Sequence, residues 1–422
     1  MLLTIGSTMI MGYVASYSFL KSHGSPTNDA SKIQRIFANA GWVGKEKGEI
    51  KTIRLRRKNK ITDGMEYVYQ LPLGFDRKKV DSTILEDGIN VRQKSGVKLK
   101  DFKQVKLNKP IIKQIKKILN KKAARKEIEL DFDGMLKIKV YNAPMPNEVK
   151  FDADRLKPNT WKILVGKSRQ SFVYHDFEDR PHIIVAGATG FGKSQFLKFL
   201  ITSLIEQQPD NVTFTLIDLK GGAAFQRFKD LKQVTRYAKN PEEAKEALKQ
   251  AQEEMNGRYE DIVERQGFED VKEAGIKKRH FVIIDEAADI SSDATCMDIV
   301  TDIARRGRGA GDRLVYATQY PTNETLPSQV RQNIGARICF ILETTAASKA
   351  TLDEKGAEDL PEIPGRAIYK RVKQTVVQTI YITNKEVEQR IKVHIRPKGV
   401  PHEQSCTTPT ADRKHPLITE KA

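Results

Sequence analysis

Cysteine is scarce. The 422 residues hold three, Cys296, Cys339 and Cys406, far apart and without a Cys-x-x-Cys pair or a His/Cys pair at zinc-ligand spacing. That excludes a disulfide scaffold and a structural zinc site, and it fits a reduced, cytosolic body. Acidic residues are also in short supply: 54 Asp and Glu face 73 Lys and Arg, a formal net charge of +19. Such a surplus says nothing of fold, but it favours a polyanionic partner, nucleic acid or an acidic membrane surface. It is uneven, with 26 Lys and Arg against 12 Asp and Glu between residues 51 and 150. Low-complexity tracts and internal repeats are missing too, and the length predicts two or three folded units.

Only one long stretch lacks charge altogether, residues 2–20 (LLTIGSTMIMGYVASYSFL). It has about the minimum length for a transmembrane helix, diluted by Ser, Thr, Gly and Tyr. Basic residues follow it, from Lys21 and Lys32, and none precedes it. That order disfavours a cleaved signal peptide and predicts a membrane anchor with the body on the cytoplasmic side. A buried or a cleaved segment is the alternative.

Residues 22–29 (SHGSPTND) read as a linker, and 31–42 as a short helix. Alternating runs follow at 52–55 and 67–71. Residues 127–140 (EIELDFDGMLKIKV) predict a hairpin around Asp133-Gly134, a dipeptide suited to a turn whose two central residues take positive φ. Ile111, Ile112, Ile115 and Ile118 predict a basic helix over 111–122. From Lys162 the pattern becomes strand, glycine loop, helix, strand: apolar runs at 182–186, 212–217, 281–284, 314–317 and 338–342 predict a buried parallel sheet covered by helices. Residues 241–266 predict the longest helix, with Ala244, Leu248, Ala251, Met255 and Tyr259 on one face. The expected organisation is an anchor (1–22), a linker (23–50), a small basic α+β domain (51–160), a P-loop ATPase unit of the α/β class (161–384) and a basic proline-containing tail (385–422). A solvated surface and a DNA contact are both open readings of the small domain.

Gly187-Ala188-Thr189-Gly190-Phe191-Gly192-Lys193-Ser194 fits the G-x-x-x-x-G-K-[ST] phosphate loop, and it follows an apolar strand and opens a helix, as that motif requires. Glycines let backbone N–H groups turn onto phosphates, and the helix amino terminus adds a favourable dipole. Lys193 would neutralise the β- and γ-phosphates of ATP and Ser194 would ligate Mg2+. Gly166-Lys167-Ser168 lacks the upstream glycine and is set aside. The run FVIIDE ends in two carboxylates: Asp285 suits the Mg2+ shell and Glu286 suits activation of the attacking water. Gln319, after another strand, would report loss of the γ-phosphate. Asp218 and Lys220 follow a third strand and either approach the nucleotide or brace their loop. Arg305, Arg306 and Arg308 lie in a glycine-rich stretch (304–311). They read as an arginine finger, with Arg308 the candidate, as DNA contacts, or as a solvated turn. Arg337 is a weaker candidate finger.

In this order the motifs resemble the FtsK/SpoIIIE family of DNA translocases. The segments are PHIIVAGATGFGKS (181–194), LIDLKGG (216–222), EEMNGRY (253–259), VIIDEAADI (282–290), ARRGRGAGDRLVYATQYP (304–321) and GARICFIL (335–342). The resemblance implies a RecA-like ATPase core that forms a hexamer around DNA, with ATP between subunits. The family's chromosome-segregation members carry a carboxy-terminal winged-helix domain, for which residues 385–422 are too few. The chain is therefore more similar to the shorter coupling proteins of Gram-positive conjugative elements. That implies a cell-membrane location, a relaxase and transfer-channel proteins as partners, and a double- or single-stranded track. A chromosome-segregation motor, or a secretion ATPase or scaffold that moves protein, is the alternative.

Overall fold

Asn28 and Asp81 each turn a side-chain oxygen onto a backbone N–H and so start a helix, α1 (Asp29–Asn39) and α2 (Ser82–Asn90). The computed structural model describes residues 28–46, 49–91 and 124–396, which divide between Pro146 and Asn147 into two units. The first unit has a two-stranded ribbon, β1 (Val43–Glu46) with β2 (Glu49–Thr52). It also has an antiparallel sheet of β3 (Arg54–Ile61), β4 (Gly64–Gln70), β5 (Glu127–Asp133) and β6 (Met135–Tyr141) in the order β3-β4-β6-β5. Both helices put apolar side chains on this sheet: Ile33, Phe37, Leu85 and Ile89 share a core with Tyr69, Leu136 and Ile138. Lys32 closes the end of α2 by donating to the Ile89 carbonyl at 2.8 Å. The expected α+β unit and its β5–β6 hairpin are present. At the hairpin tip only Gly134 takes a positive φ, because Asp133 pairs with Met135 across a one-residue turn.

The second unit is organised by one large sheet. Its strands are β7 (Val149–Lys150), β8 (Lys162–Lys167), β9 (Phe172–Asp176), β10 (Ile183–Ala186), β11 (Val212–Asp218), β12 (Val234–Ala238), β13 (Arg279–Asp285), β14 (Asp312–Thr318), β15 (Ala336–Phe340), β16 (Arg366–Lys370) and β17 (Gln374–Tyr381). The order is β12-β11-β13-β14-β10-β15-β16-β17-β8-β9, with β7 beside β17. From β12 to β15 every pairing is parallel, as the buried apolar runs predicted. Beyond β15 the sheet turns antiparallel through β16, β17, β8 and β9, which the expectation of a parallel sheet did not include. Pairing of Val149 and Lys150 with Ile380 and Tyr381 ties residues 147–160 to this unit and not to the smaller one.

The helices of this unit are α3 (Lys193–Gln207), α4 (Pro241–Tyr259), α5 (Ala294–Ala310), α6 (Ser328–Asn333), α7 (Thr345–Leu352) and α8 (Asn384–Ile391). Helix α4 starts at Asn240, whose side chain accepts from Glu243 N, and it buries Ala244, Leu248, Ala251 and Met255 as its periodicity predicted. Helix α3 is buried on most of its circumference, with Phe196, Phe199, Leu200 and Leu204 in the sheet's core. Residues 385–391 were expected in the tail, yet they belong to α8: Thr383 and Glu386 cap each other's backbone, and Val387 and Ile391 join the core.

Among the described residues no helix is long and apolar enough to cross a membrane. The anchor expected at 1–22, the helix expected over 111–122 and residues 397–422 lie outside the described residues.

Three histidines of this unit are fully buried. His175 and His182 are pushed down to about 3, first by burial and then by Arg371 and Arg313 respectively, and burial also carries His280 well below its ordinary value. His175 and His182 stay neutral in the fold, so their contribution is complete above the unfolded value of 6.5 and is lost as the pH falls toward 3, and His280 acts in the same direction. Buried Asp312 is raised to about 6 and works in the opposite sense, but it is one group against three. The melting temperature is therefore expected to fall steadily between pH 6.5 and 4. His175→Asn with His182→Asn should flatten that slope in thermal melts across the range.

Candidate functional site

The phosphate loop leaves β10 at Ala186, in the middle of the sheet, and enters α3 at Lys193. Neighbouring strands hold it by backbone bonds: Gly187 N donates to Thr318 O at 3.3 Å and Ala188 N to Ile341 O at 3.0 Å. Gly192 takes φ +114°, and a Cβ there would stand 3.0 Å from Gly365 N, so only glycine fits. Gly365 N donates to Phe191 O at 2.9 Å, which buttresses the loop from the turn before β16. Sequence reading gave Gly365 no role, and nothing local to it signals one.

Asp285 ends β13, two strands away from β10, and register brings it to the loop. Lys193, 3% exposed, donates to Asp285 Oδ1, and Ser194 Oγ lies 3.4 Å from Asp285 Oδ2. A hydroxyl and a carboxylate oxygen thus converge beside the lysine, a donor set that fits a hard divalent cation completed by phosphate oxygens and water. Glu286, the next residue, takes φ +67°, a strained conformation for a residue with a side chain. That turn carries its carboxylate back over the strand ends. Oε1 accepts from Gln319 N at 3.0 Å and from Thr318 Oγ1 at 3.2 Å. Oε2 accepts no well-aligned hydrogen bond, although Lys220 Nζ stands 3.2 Å away and Lys193 Nζ 3.6 Å away. Gln319 also reaches the phosphate loop, where its Oε1 accepts from Thr189 Oγ1.

Lys193, Ser194, Asp285, Glu286, Gln319 and Lys220 therefore meet in one place. Asp218 does not join them. Its carboxylate accepts from Ala224 N (2.7 Å), Phe225 N (2.8 Å) and Lys220 N (3.3 Å), so it braces its own loop. Burial first, and nearby Asp285 with it, raise its carboxyl above the usual range against the lowering effect of those bonds. Of the two readings for this loop, Asp218 takes the bracing one and Lys220 lies near the site.

The arginines stand elsewhere. Residues 304–310 continue α5, and Gly311 ends it in the left-handed conformation. Gly307 and Gly309 are there for packing: a Cβ would meet Asp312 at 3.2 Å and the Tyr259 ring at 3.0 Å. Arg308 is 59% exposed and pairs with Asp270 at 3.3 Å. Arg306 pairs with Asp302 and lies over the Tyr259 ring. The chain then enters β14 at Asp312 and reaches the site only at Thr318-Gln319. Seven residues at about 3.3 Å each put Arg308 roughly 20 Å from its own phosphate loop. Arg337 is the second residue of β15, in register with Ile184 of β10, and pairs with Asp353.

Cavities flank the loop on both sides. One of about 680 Å3 is lined by Gly190, Gly192, Gln195, Gly365, Gln378 and Tyr381. Another of about 870 Å3 is lined by Thr189, Gln319, Tyr320, Asn323, Glu343 and Glu358.

The chain is 31% identical over 249 residues to the DNA translocase FtsK of Chlorobaculum tepidum, covering 54% of this chain and 31% of that one. It is 29% identical over 286 residues to the DNA translocase SpoIIIE of Bacillus subtilis, covering 62% and 36%. It thus spans about a third of the length of these relatives. The fold is similar to that of the pCW3 conjugation coupling protein TcpA, solved in its monomer form with ATPγS, at a TM-score of 0.55 and 21% identity over 86% of this chain and 99% of TcpA. A match to the family extends over residues 150–383, more than half of the sequence and the whole of the site just described, and the chain belongs to the FtsK/SpoIIIE family.

Proposed function

We propose that this chain is an ATP-driven DNA translocase, an ATPase whose hydrolysis moves DNA. The observation that carries the reading is the meeting of Lys193, Ser194, Asp285 and Glu286 at the carboxyl ends of β10 and β13. In the mechanism, Lys193 leaves Asp285 for the β- and γ-phosphates. Ser194 and Asp285 would hold Mg2+, which supplies charge neutralisation on those phosphates. Glu286 accepts a proton from the attacking water. Gln319, bonded to Thr189 of the loop, is placed to respond when the γ-phosphate leaves. The cavity lined by Gln195, Gly365 and Tyr381 offers room for the nucleoside.

The +19 charge supports a DNA track, since neutralised phosphates release counterions and give binding a steep salt dependence. The position of the arginines supports a ring, hexameric by family resemblance, in which Arg308 of one copy serves the nucleotide of the next. An anchor at residues 1–22 would hold the ring on the cell membrane with the ATPase in the cytoplasm. As a coupling protein it would pass DNA from a relaxase to a transfer channel.

Phosphate release and labelled-nucleotide binding by the purified full-length chain, with and without DNA at two salt concentrations, test this. DNA-stimulated hydrolysis that fades at high salt is expected, and Lys193→Ala should lose nucleotide binding and hydrolysis together. A chain that takes up no nucleotide in magnesium buffer would sink the proposal.

A further inference from the structure

The loop after β11 is fixed at its ends and open at its tip. Asp218 holds Ala224 N and Phe225 N, Leu219 N donates to Asp285 O at 3.3 Å, and the Tyr237 hydroxyl donates to Gly222 O at 3.2 Å. Between these ties, Lys220, Gly221 and Ala223 face solvent. Lys220 nevertheless sends its ammonium inward. The side chain is 36% exposed, and Nζ stands 3.2 Å from Glu286 Oε2. No other acid of the described residues lies within ion-pair distance of it.

Glu286 has two oxygens with different occupations. Oε1 is used by Gln319 N and Thr318 Oγ1, which fix the carboxylate's orientation. Oε2 is the oxygen left to take a proton from water, and two ammonium groups face it. Triphosphate binding draws Lys193 away, because phosphates are its stronger partners. Lys220 is carried by the loop after β11 and not by the phosphate loop, so departure of Lys193 leaves its 3.2 Å contact with Oε2 in place.

We propose that Lys220 is a brake on hydrolysis: its ammonium covers the Glu286 oxygen that must receive the water's proton, and it withdraws when the phosphodiester backbone of DNA reaches the exposed loop tip. The inference rests on the proposed ATPase function and adds how the track would control it. With Lys220 withdrawn, the water's proton passes to Oε2 and its oxygen bonds to the γ-phosphorus. The bond from that phosphorus to the β–γ bridging oxygen breaks, and the electron pair leaves on ADP. Lys220 acts through Glu286, so it is a positioning residue. Its lever is charge carried on a solvent-facing backbone, where an external phosphate can compete for it.

The test uses the full chain and steady-state ATP hydrolysis with and without double-stranded DNA. Lys220→Met keeps the stem and removes the charge. Its DNA-free kcat should rise about fivefold or more, the scale of one lost ion pair. KM for ATP should stay within about twofold, as expected of a group outside nucleotide binding. Stimulation by DNA should shrink toward none. Lys220→Arg should behave as the wild type. Lys220→Met combined with Glu286→Gln should be as inactive as Glu286→Gln alone. A DNA-free kcat for Lys220→Met that is unchanged or lower overturns the brake, as does an Arg variant that matches Met. A wild-type chain that hydrolyses no ATP under either condition overturns the ATPase reading itself, and the brake with it.

Discussion

Replacing Glu286 by glutamine should lower kcat for ATP by about 10^2–10^4-fold, the usual range for loss of a general base. Nucleotide binding should survive, because Lys193, Ser194 and the backbone of the phosphate loop are untouched. The choice of glutamine matters. Its carbonyl oxygen can still accept from Gln319 N and Thr318 Oγ1, so the strained turn at φ +67° keeps its supports. What disappears is the negative charge and the proton acceptor. Single-turnover phosphate release measured beside labelled-nucleotide titration separates the two steps. A variant that binds ATP and still hydrolyses within about threefold of the wild-type rate would remove Glu286 from the mechanism.

Truncating Glu178 to alanine should cost the second unit about 3–5 kcal/mol, because it leaves two buried guanidinium groups without a counter-charge. Arg279 donates to both Glu178 oxygens at 2.9 Å, and Arg313 donates to one at 3.0 Å. Both arginines are almost fully buried. Burial alone would raise the Glu178 carboxyl, yet the bonds and charges of Arg279 and Arg313 outweigh it and hold the carboxyl below the usual range. At about 2–4 °C per kcal/mol for a unit of this size, the melting temperature should drop by roughly 10 °C. The cluster lies at the start of β13 and β14, on the edge of the sheet away from the phosphate loop. Nucleotide affinity of the folded fraction should therefore change little, and calorimetry with and without nucleotide distinguishes the two effects. A melting temperature within about 2 °C of the wild type would show that water replaces the carboxylate.

How much of this was legible depended on how far apart the partners lie in the chain. The phosphate loop is contiguous, and its glycines, Lys193 and Ser194 carry their own explanation. Asp285 and Glu286 were legible for the same reason, as two acids ending an apolar run. The β5–β6 hairpin and the face of α4 followed from period alone. Lys220 at Glu286 was not legible, because it depends on β11 lying beside β13 with Asp218 opposite Asp285. The antiparallel half of the sheet was missed since β8, which carries β9 at its outer side, comes early in the unit, far from β17, with which it finally pairs. Glycine misled twice over in residues 304–311. The stretch was read as an arginine finger, DNA contacts or a solvated turn, whereas residues 304–310 continue α5 and Gly307 and Gly309 are places where another element comes close. Thr383 and Glu386 spelled a helix start that the nearby prolines obscured.

The backbone bond between Gly365 and Phe191 joins two segments that are remote in sequence. Behind the phosphate loop, then, stands no independent flap but the turn into β16, a strand held inside the large sheet between β15 and β17. The shape of the phosphate loop and the position of that strand form one mechanical piece. A bulkier residue at 365 would be felt first as slackened hold on ATP, well before any loss of fold.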